Sequence, residues 1–291
     1  MGMVRKLTED EIVEQVLFFA RYLKGTSGHT RFADATAGGD HSGPFHHKGT
    51  SIFTVAPLLE NQVGQVLVSP HSTSATLPHV AKKPAMQMMG PSERVGSIVF
   101  MGMGEPFLNY EAVMGAIRLL HDKDTFNIGA RHISISTCGI LDGIKRLADE
   151  DLPVNLAISL HASNDETRAQ LMPIARTYPI TDLLATVDEY IAKTNRKVMF
   201  EHLLVEGVND TDEHARELAT LMNRPLYMVN LISYNPTGKY TATSETRINH
   251  FRDILKKAGV EVTIRYRFGR DIEGACGQLV SSTSIPSPSK R

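Results

Sequence analysis

Short apolar segments alternate with amphipathic segments along the chain from residue 95 onward. The apolar segments predict strands, and the longer segments between them predict helices with one apolar face. Strands are predicted at Gly96–Met101, His132–Ser136, Val154–Leu160, Lys197–Leu204, Tyr227–Ser233 and Val260–Arg267. Helices are predicted at about 109–121, 140–149, 165–171, 180–194, 211–222 and 244–258. This order indicates an α/β fold with a parallel sheet, either a doubly wound layer or a curved partial barrel.

The beginning of the chain predicts one further helix, over residues 8–24. Thr8 and Glu11 match a capping box at its start. Ile12 and Val16 begin an apolar stripe at helical spacing.

Residues 26–92 have a different character, because they are rich in Gly, Ser, Thr, Pro and His and show no sustained period. A hairpin of Ile52–Val55 with Val63–Val68 is compatible with the pattern. A structureless stretch of this length is unusual in a compact domain. We therefore divide the chain into a helical segment, an atypical insertion, an α/β core and a disordered Ser/Pro-rich tail, at residues 1–25, 26–92, 93–280 and 281–291.

Composition narrows the class of protein. The 42% hydrophobic and 22% charged residues are ordinary for a globular protein, and no apolar run reaches membrane-spanning length. Two cysteines fit a reducing compartment, so a cytoplasmic location is expected. The net charge of −1 shows no overall basic excess for binding RNA. The best local candidates are Lys256-Lys257 and Arg265-Tyr-Arg267-Phe-Gly-Arg270, which by themselves are more typical of a solvated helix end and an edge strand.

Polar residues and glycines concentrate where the predicted strands end, which is the edge where parallel α/β sheets bind ligands. Gly104 and Glu105 follow the first strand of the core, and they offer close backbone approach and a carboxylate for an ammonium group. A Gly-rich turn before a helix is also common without any ligand. Ser136 offers a hydroxyl for a carboxylate or a ribose, or caps the next helix.

Two further strand ends have the same character. Ser159 and His161 are expected to face the same side by strand alternation, although histidines at strand ends are mostly structural. Asn235 is suited to contact an adenine edge or a ribose, and equally suited to shape the turn before Pro236.

The two cysteines differ in their surroundings. Cys138 is interpreted as a small apolar filler at a strand end. Cys276 lies close to two glycines, where a thiol acts as a nucleophile if its pKa is lowered. A buried, inert cysteine is the more common case.

Six motifs, in their order and spacing, resemble the radical S-adenosylmethionine (SAM) methyltransferases that methylate C2 of adenine in 23S rRNA and tRNA. They are GMGEP, ISTCG, LAISLHASND, FEHLLVEGVND, NLISYNPTG and RDIEGACGQL. The resemblance implies a radical-SAM-type partial (β/α)6 barrel. It also implies SAM and a [4Fe–4S] cluster as cofactors, 23S rRNA and tRNA as substrates, and an electron donor such as flavodoxin.

The resemblance assigns roles to individual residues. Gly104 and Glu105 would contact the amino group of SAM. The rest of SAM would be held by Ser136, Ser159, Leu160, His161 and Asn235. Cys276 would accept a methyl group from one SAM, and a radical derived from a second SAM would activate that methyl for addition to adenine. Because C2 of adenine is electron-poor, the cofactor carries the difficult step and the protein positions the reactants.

The chain departs from this family in its cysteines. The family motif Cys-x3-Cys-x2-Cys provides three thiolates for the cluster, whereas this chain has two cysteines in total. Met1–Leu7 resembles the end of the segment that follows this motif. The cluster cysteines and an RNA-binding domain would therefore lie upstream, together with the family's second cysteine, which resolves the crosslink between protein and RNA. No residue of this chain is therefore predicted to bind the cluster. The barrel is expected to lack its first strand, which would leave Gly96–Met101 as an open edge prone to self-association.

Several explanations remain open: a truncated gene product, a start assigned to an internal Met, or a degenerate paralogue. The predicted function is radical methylation of C2 of adenine through an S-methylcysteine. The alternatives are a catalytically silent SAM- or RNA-binding remnant, and a relative that methylates C8 and confers antibiotic resistance.

Overall fold

The computed structural model describes Glu9, Ile12, the backbone of residues 52–55, and residues 97–101, 104–235 and 239–265. The strands are β1 (Ile52–Val55), β2 (Ser97–Phe100), β3 (Ile133–Thr137), β4 (Asn155–Ser159), β5 (Val198–Leu204), β6 (Tyr227–Ser233) and β7 (Val262–Ile264). The helices are α1 (Tyr110–His121), α2 (Leu141–Ala148), α3 (Asp165–Leu171), α4 (Ile180–Thr194), α5 (Asp212–Met222) and α6 (Glu245–Lys257). Short 3-10 turns cover Pro106–Asn109, Ala130–His132 and Pro173–Thr177.

The strands form one seven-stranded sheet in the order β1 to β7, and all neighbouring pairs are parallel. Helices connect consecutive strands from β2 onward, which confirms the predicted α/β fold. Arg265 follows β7, and its Nη1 lies 3.3 Å from the sulfur of Met101, which follows β2. Because the strands β3 to β6 separate β2 from β7, the sheet must curve to bring these two residues together. The structure therefore favours a partial barrel over a flat doubly wound layer.

The two faces of this sheet have different chemistry. On one face, here called the outer face, apolar strand residues pack against the helices in a single core, for example Ile135, Phe200 and Val229. Alternate residues point to the opposite side, here called the inner face. Polar residues of the inner face include Ser134, Ser136, Asn155, Ser159, Glu201, Asn230, Thr263 and Arg265. The hydrophobic effect thus holds the helices on the outer face. The inner face mixes these polar residues with apolar ones such as Met199 and Met228.

Local signals in the sequence fix the ends of several helices. The Asn164 side chain accepts a hydrogen bond from Thr167 N at 2.9 Å at the start of α3, as its sequence position predicts. Asn195 ends α4 in the left-handed conformation, with a φ of 50°. Within the described residues, no helix combines the length and the apolar content that a membrane crossing requires.

The edge of the sheet differs from the sequence expectation. Ile52–Val55 pairs in parallel with Ser97–Phe100, so the prediction that β2 would form an open edge is wrong. Sequence reasoning failed here because it considered only a local hairpin for this segment, whereas the strand pairs with a distant one. The other strand of that hairpin, Val63–Val68, lies outside the described residues.

The structure describes the predicted helix over residues 8–24 at only two positions. Glu9 and Ile12 are helical, and Ile12 is fully buried in the core, as the predicted stripe requires. The remaining residues of the helix over 8–24 lie outside the described residues, and so does the tail 281–291.

His202 is a polar side chain within the largely apolar outer layer. His202 on β5 is fully buried and stacks on Phe251 of α6 with ring centroids 5.6 Å apart. Neither of its ring nitrogens has a hydrogen-bond partner among the described residues. Burial, together with the nearby His161 and His214, lowers the pKa of His202 to about 3. The folded protein therefore holds this imidazole neutral.

Replacing His202 with Leu is expected to reduce the acid sensitivity of the fold. A histidine in the unfolded chain takes up a proton as the pH falls through about 6.5, whereas folded His202 stays neutral down to a pKa of about 3. The unfolded state thus binds more protons in this interval, so stability is complete above pH 6.5 and decreases below it. The loss at pH 5 is about 2 kcal/mol for one such histidine. Urea unfolding at pH 7 and pH 5 gives the free energy of unfolding of the variant and of the wild type, and the change between the two pH values is compared.

The matched control is His132→Leu, because His132 is exposed on the same molecule. It reports the effect of removing an exposed histidine, and His202→Leu should differ from the wild type by more than this variant does. If His202→Leu and wild type lose the same stability between pH 7 and pH 5, His202 is not a buried neutral histidine.

Candidate functional site

The candidate site is the carboxyl-terminal edge of the curved sheet together with its inner face. The turns after β2, β3, β4 and β6 contain the residues that the sequence singled out. Because all strands are parallel, these turns lie at the same edge. The prediction that the motifs occur at strand ends is therefore confirmed for each motif that the structure describes.

Glu105 joins the turn after β2 to the end of β3. One carboxylate oxygen accepts hydrogen bonds from the Thr137 hydroxyl at 2.7 Å and from Phe107 N at 3.0 Å. The other oxygen accepts from Cys138 N at 2.7 Å. Gly104 precedes it with a φ of 99°, which a residue with a side chain rarely adopts. The Glu105 carboxylate thus fixes the turn itself, and the backbone of Gly104 and Glu105 is what the turn can present to a ligand.

The Cys138 thiol is a poor candidate for a reactive or metal-binding group. Burial is the main cause that raises its pKa far above the ordinary value, and the negative charge of Glu105 adds to the effect. Nucleophiles and metal ligands need the thiolate form. The interpretation of Cys138 as a packing residue agrees with this environment.

Arg168 connects the end of β3 to the region after α3. Its side chain is fully buried, and its two terminal nitrogens donate to Cys138 O and to Tyr178 O, both at 2.7 Å. Burial lowers its pKa, while Cys138 and Asp165 oppose the shift. A guanidinium suits the joining of these two carbonyl groups, because it supplies several N–H donors in fixed geometry.

The turn after β4 is built around His161. Its φ of 60° is left-handed, and β4 ends at Ser159. Strand alternation therefore does not extend to His161. The prediction that alternation places His161 on the same side as Ser159 is wrong, because His161 lies beyond the end of the strand. The Nδ1 atom of His161 accepts a hydrogen bond from Leu203 N at 3.1 Å, so Nε2 carries the proton in the neutral ring. Burial and the charge of Arg168 lower the pKa of His161 to about 4.

Asn209 holds the His161 turn against the end of β5. Its amide nitrogen donates to His161 O at 2.7 Å and to Leu203 O at 2.6 Å. Its amide oxygen accepts from Val205 N at 2.8 Å. This buried side chain thus makes three hydrogen bonds that join the strained backbone of His161 to the end of β5.

A row of polar side chains crosses the inner face below this edge. Glu201 Oε2 accepts from Asn230 Nδ2 at 2.9 Å, and Thr263 donates to Asn230 Oδ1 at 3.0 Å. Burial raises the pKa of Glu201, and the charge of Arg265 opposes this shift. The inner face therefore contains the buried carboxyl group of Glu201 and, near it, the guanidinium of Arg265.

The structure brings most of the predicted site residues to one edge. Glu105 accepts hydrogen bonds from Thr137 and Cys138, which directly follow Ser136. Leu160 N and His161 N both donate to Glu201 O. Asn235 is buried just after β6. Cys276 lies outside the described residues, so its predicted role stays a prediction.

Sequence reasoning missed Arg168, Asn209 and Glu201, and it considered Arg265 only as part of a basic cluster for binding RNA. Two of them lie inside motifs that were recognised, Glu201 at the start and Asn209 near the end of FEHLLVEGVND. A charged residue within an apolar strand was a usable signal for Glu201, because buried charges need partners.

The residues present fit SAM but do not fit an iron–sulfur cluster. Hydroxyl, amide, carboxylate and guanidinium groups of the inner face match the ribose, ammonium and carboxylate groups of SAM. Three cluster thiolates cannot come from two cysteines, one of which has a raised pKa. No group of His, Cys, Asp or Glu within the described part of the chain is arranged to hold a metal ion.

An open depression lies beside the start of α5, among the segments that follow β5 and β6. Its lining includes Asp210 and Asp212. Asp210 accepts from Gly207 N at 3.0 Å and from the Thr243 hydroxyl at 3.0 Å, while Asp212 pairs with Arg247 at 2.6 Å. These carboxylates stabilise the loop before α5, and we assign the site to the inner face.

Comparison with known proteins points to one group of enzymes. The model of the radical SAM superfamily matches residues 85–219. A protein of Symbiobacterium thermophilum described as "Probable dual-specificity RNA methyltransferase RlmN" is 50% identical over 190 residues, which cover 64% of this chain and 51% of that protein. A protein of Chloroflexus aurantiacus with the same description is 48% identical over 210 residues, covering 69% and 56%. This chain thus spans about half the length of the curated relatives it matches.

The fold has a solved counterpart. The crystal structure of a radical SAM methyltransferase from Sphaerobacter thermophilus superposes with a TM-score of 0.62 at 48% sequence identity. The match covers 63% of this chain and 55% of that one. The curved parallel sheet described above is therefore a radical-SAM-type α/β fold.

Proposed function

Because this chain belongs to the radical SAM superfamily and, within it, to the family of dual-specificity RNA methyltransferases, we propose that it binds SAM on its inner face and serves the methylation of C2 of adenine in 23S rRNA and tRNA. The observation that carries this proposal is the single edge at which Glu105, Ser136, Ser159 and His161 lie, beside a polar sheet face. Four turns that converge on one polar surface suit a ligand with several different polar groups.

The proposed contacts follow the order of the turns. The backbone of Gly104 and Glu105 binds the amino group of SAM. Ser136 and the segment from Ser159 to His161 hold the rest of the ligand, together with Asn235. The neutral His161 offers an Nε2–H donor, because its Nδ1 is occupied by Leu203 N.

Cys276 is the proposed methyl acceptor. When bound, SAM supplies the methyl group. Cys276 would accept this methyl on its sulfur as the thiolate, after its proton passes to solvent, and S-adenosylhomocysteine would be the leaving group. Cys138 is not assigned this role, because its raised pKa opposes thiolate formation. Activation of the methyl requires a cluster that this chain has no set of thiolates to hold, so no residue here is assigned to that step.

The proposed setting is cytoplasmic, with 23S rRNA and tRNA as macromolecular partners and flavodoxin as an electron donor. Sequence-specific RNA recognition generally uses unstacked bases. The target adenine is therefore expected in a loop or splayed out of a helix.

A second candidate function is a catalytically silent SAM-binding protein. The number of cysteines favours it, since two cannot supply three cluster thiolates. The two candidates share the SAM site and differ in the chemistry that follows.

Saturable binding of SAM to the chain is the result expected from both candidates. Equilibrium dialysis with labelled SAM measures it. Ser136→Leu should weaken binding, because it places an apolar group on the inner face, whereas Thr220→Leu on the exposed surface of α5 should not. Absence of saturable binding to the unmodified chain would refute the proposed function.

Iron and sulfide analysis after anaerobic reconstitution separates the candidates. We expect no stable cluster on this chain. About four irons per chain, together with cleavage of SAM to 5′-deoxyadenosine, would contradict that expectation and exclude the catalytically silent alternative.

A further inference from the structure

Lys239 and Tyr240 lie on the loop between β6 and α6, at the carboxyl-terminal edge of the sheet, and no assigned role uses them. The Lys239 Nζ atom lies over the Tyr240 ring, 4.9 Å from the ring centroid. Lys239 is exposed and Tyr240 is half-buried. Among the described residues, no carboxylate forms an ion pair with Lys239. The loop thus presents one aromatic ring and one cation at this edge.

Neighbouring structure fixes the position of the Tyr240 ring. It meets the ring of Tyr234 edge-on, with centroids 5.9 Å apart, and Tyr234 is buried directly after β6. Thr241 O accepts a hydrogen bond from Glu206 N at 3.1 Å, and an antiparallel bridge joins the same two loops. The loop after β6 is therefore attached to the loop after β5, which holds the ring in place before a ligand arrives.

This pair lies beside the proposed SAM site. Tyr234 directly precedes Asn235, which is buried and is one of the proposed SAM contacts. The Tyr240 ring thus packs against the chain neighbour of that residue. A macromolecular substrate that places its reacting group in this site must lie across the edge of the sheet, so its flanking groups come close to Lys239 and Tyr240.

A ring and a cation side by side suit a nucleotide. Aromatic side chains stack on unpaired bases, and an ammonium group binds a phosphate as a point charge. Lys239 has a flexible stem, so its ammonium group reaches a phosphate when a base takes its place over the ring. Glu206 is an exposed carboxylate on the neighbouring loop, so charge alone does not attract RNA to this edge. Stacking on the ring therefore supplies more of the affinity than the cation does.

We propose that Tyr240 stacks on an unpaired base next to the target adenine of the RNA substrate and that Lys239 binds the adjoining phosphate. The inference rests on the proposed function, because it assigns contacts for the RNA partner of the same site. It gives the loop after β6 a role in substrate recognition that is distinct from the SAM contacts.

The test measures the affinity of the chain for a fluorescent RNA hairpin with an adenine-containing loop, by fluorescence anisotropy. Tyr240→Ala should weaken binding by roughly tenfold, whereas Tyr240→Phe, which keeps the ring, should bind within about twofold of the unmodified chain. Lys239→Gln should lose less affinity, and its dependence of log affinity on log salt should be shallower by about 0.7. For a fully paired RNA duplex, Tyr240→Ala and the unmodified chain should not differ.

Lys123→Gln is the matched control, because Lys123 is an exposed lysine in the segment from α1 to β3, at the opposite edge of the sheet. It should bind the hairpin like the unmodified chain. Equilibrium dialysis with labelled SAM should give the same affinity for Tyr240→Ala and the unmodified chain.

Three results would overturn the inference: no binding of the hairpin by the unmodified chain, unchanged hairpin affinity in Tyr240→Ala, or an equal loss of SAM and hairpin affinity in that variant. The last result would show that Tyr240 only supports the fold. If the unmodified chain binds no SAM, the proposed function itself fails, which is a distinct result.

Discussion

Replacement of Arg168 with Ala is expected to lower the free energy of unfolding by about 4 kcal/mol. The side chain is fully buried, so its removal leaves a cavity that the surrounding helices cannot fill completely. Its removal also leaves Cys138 O and Tyr178 O without their donors. Each carbonyl left without a partner costs about 1–3 kcal/mol when it is buried. Part of this loss is offset, because the variant no longer buries the charged guanidinium of Arg168.

Two other variants separate these contributions. Arg168→Met keeps most of the volume and removes the donors, so its loss should be smaller, about 2 kcal/mol. Arg176→Ala, at an exposed position of the neighbouring 3-10 turn, should change stability by less than about 0.5 kcal/mol. Chemical unfolding at pH 7 measures all three variants. A loss in Arg168→Ala no larger than that in Arg176→Ala would show that Arg168 does not stabilise the edge of the sheet.

The regular part of the fold was predictable from the sequence because its signals are local. Helices α3 and α4 begin and end at the predicted residues, since a cap such as Asn164 and the apolar period act within one element. Strand β6 also matches its predicted range, Tyr227–Ser233. Periodicity identified each such element without knowledge of its neighbours.

The edge strand and the barrel closure were not predictable in this way. The pairing of Ile52–Val55 with β2 joins segments separated by a long stretch without any pattern. The contact of Arg265 with Met101 depends on the curvature of the whole sheet. Neither interaction has a signal within a single window of sequence, because both arise from tertiary structure.

The candidate site was predictable at the level of turns but not of atoms. The motifs located the turns of Gly104, Ser136 and Ser159 correctly at one edge. They predict that the Glu105 carboxylate pairs with a ligand ammonium, and this stays a prediction. The structure adds that the same carboxylate accepts hydrogen bonds from Thr137, Phe107 and Cys138, which no motif indicated.

Alkylation of Cys138 in the folded chain is expected to be at least about a hundredfold slower at pH 8 than alkylation of the same residue in the unfolded chain. An ordinary thiol has a pKa of about 8.5, so a substantial fraction is thiolate at pH 8. Burial and the carboxylate of Glu105 raise the pKa of folded Cys138, so its thiolate population falls about tenfold for each unit of that rise. Time-resolved labelling with iodoacetamide, followed by mass spectrometry of the separated peptides, gives the rate for each cysteine.

The Glu105→Gln variant tests the cause of this protection. It removes the negative charge beside the thiol while retaining an amide oxygen that can accept from Cys138 N. The rate at Cys138 should rise but stay below the unfolded rate, because burial is the larger cause of the raised pKa. Equal rates for folded and unfolded protein would contradict the protected state of Cys138. In the folded wild type we expect Cys276 to react faster than Cys138, since a methyl acceptor must reach the thiolate form, and a slower Cys276 would argue against that role.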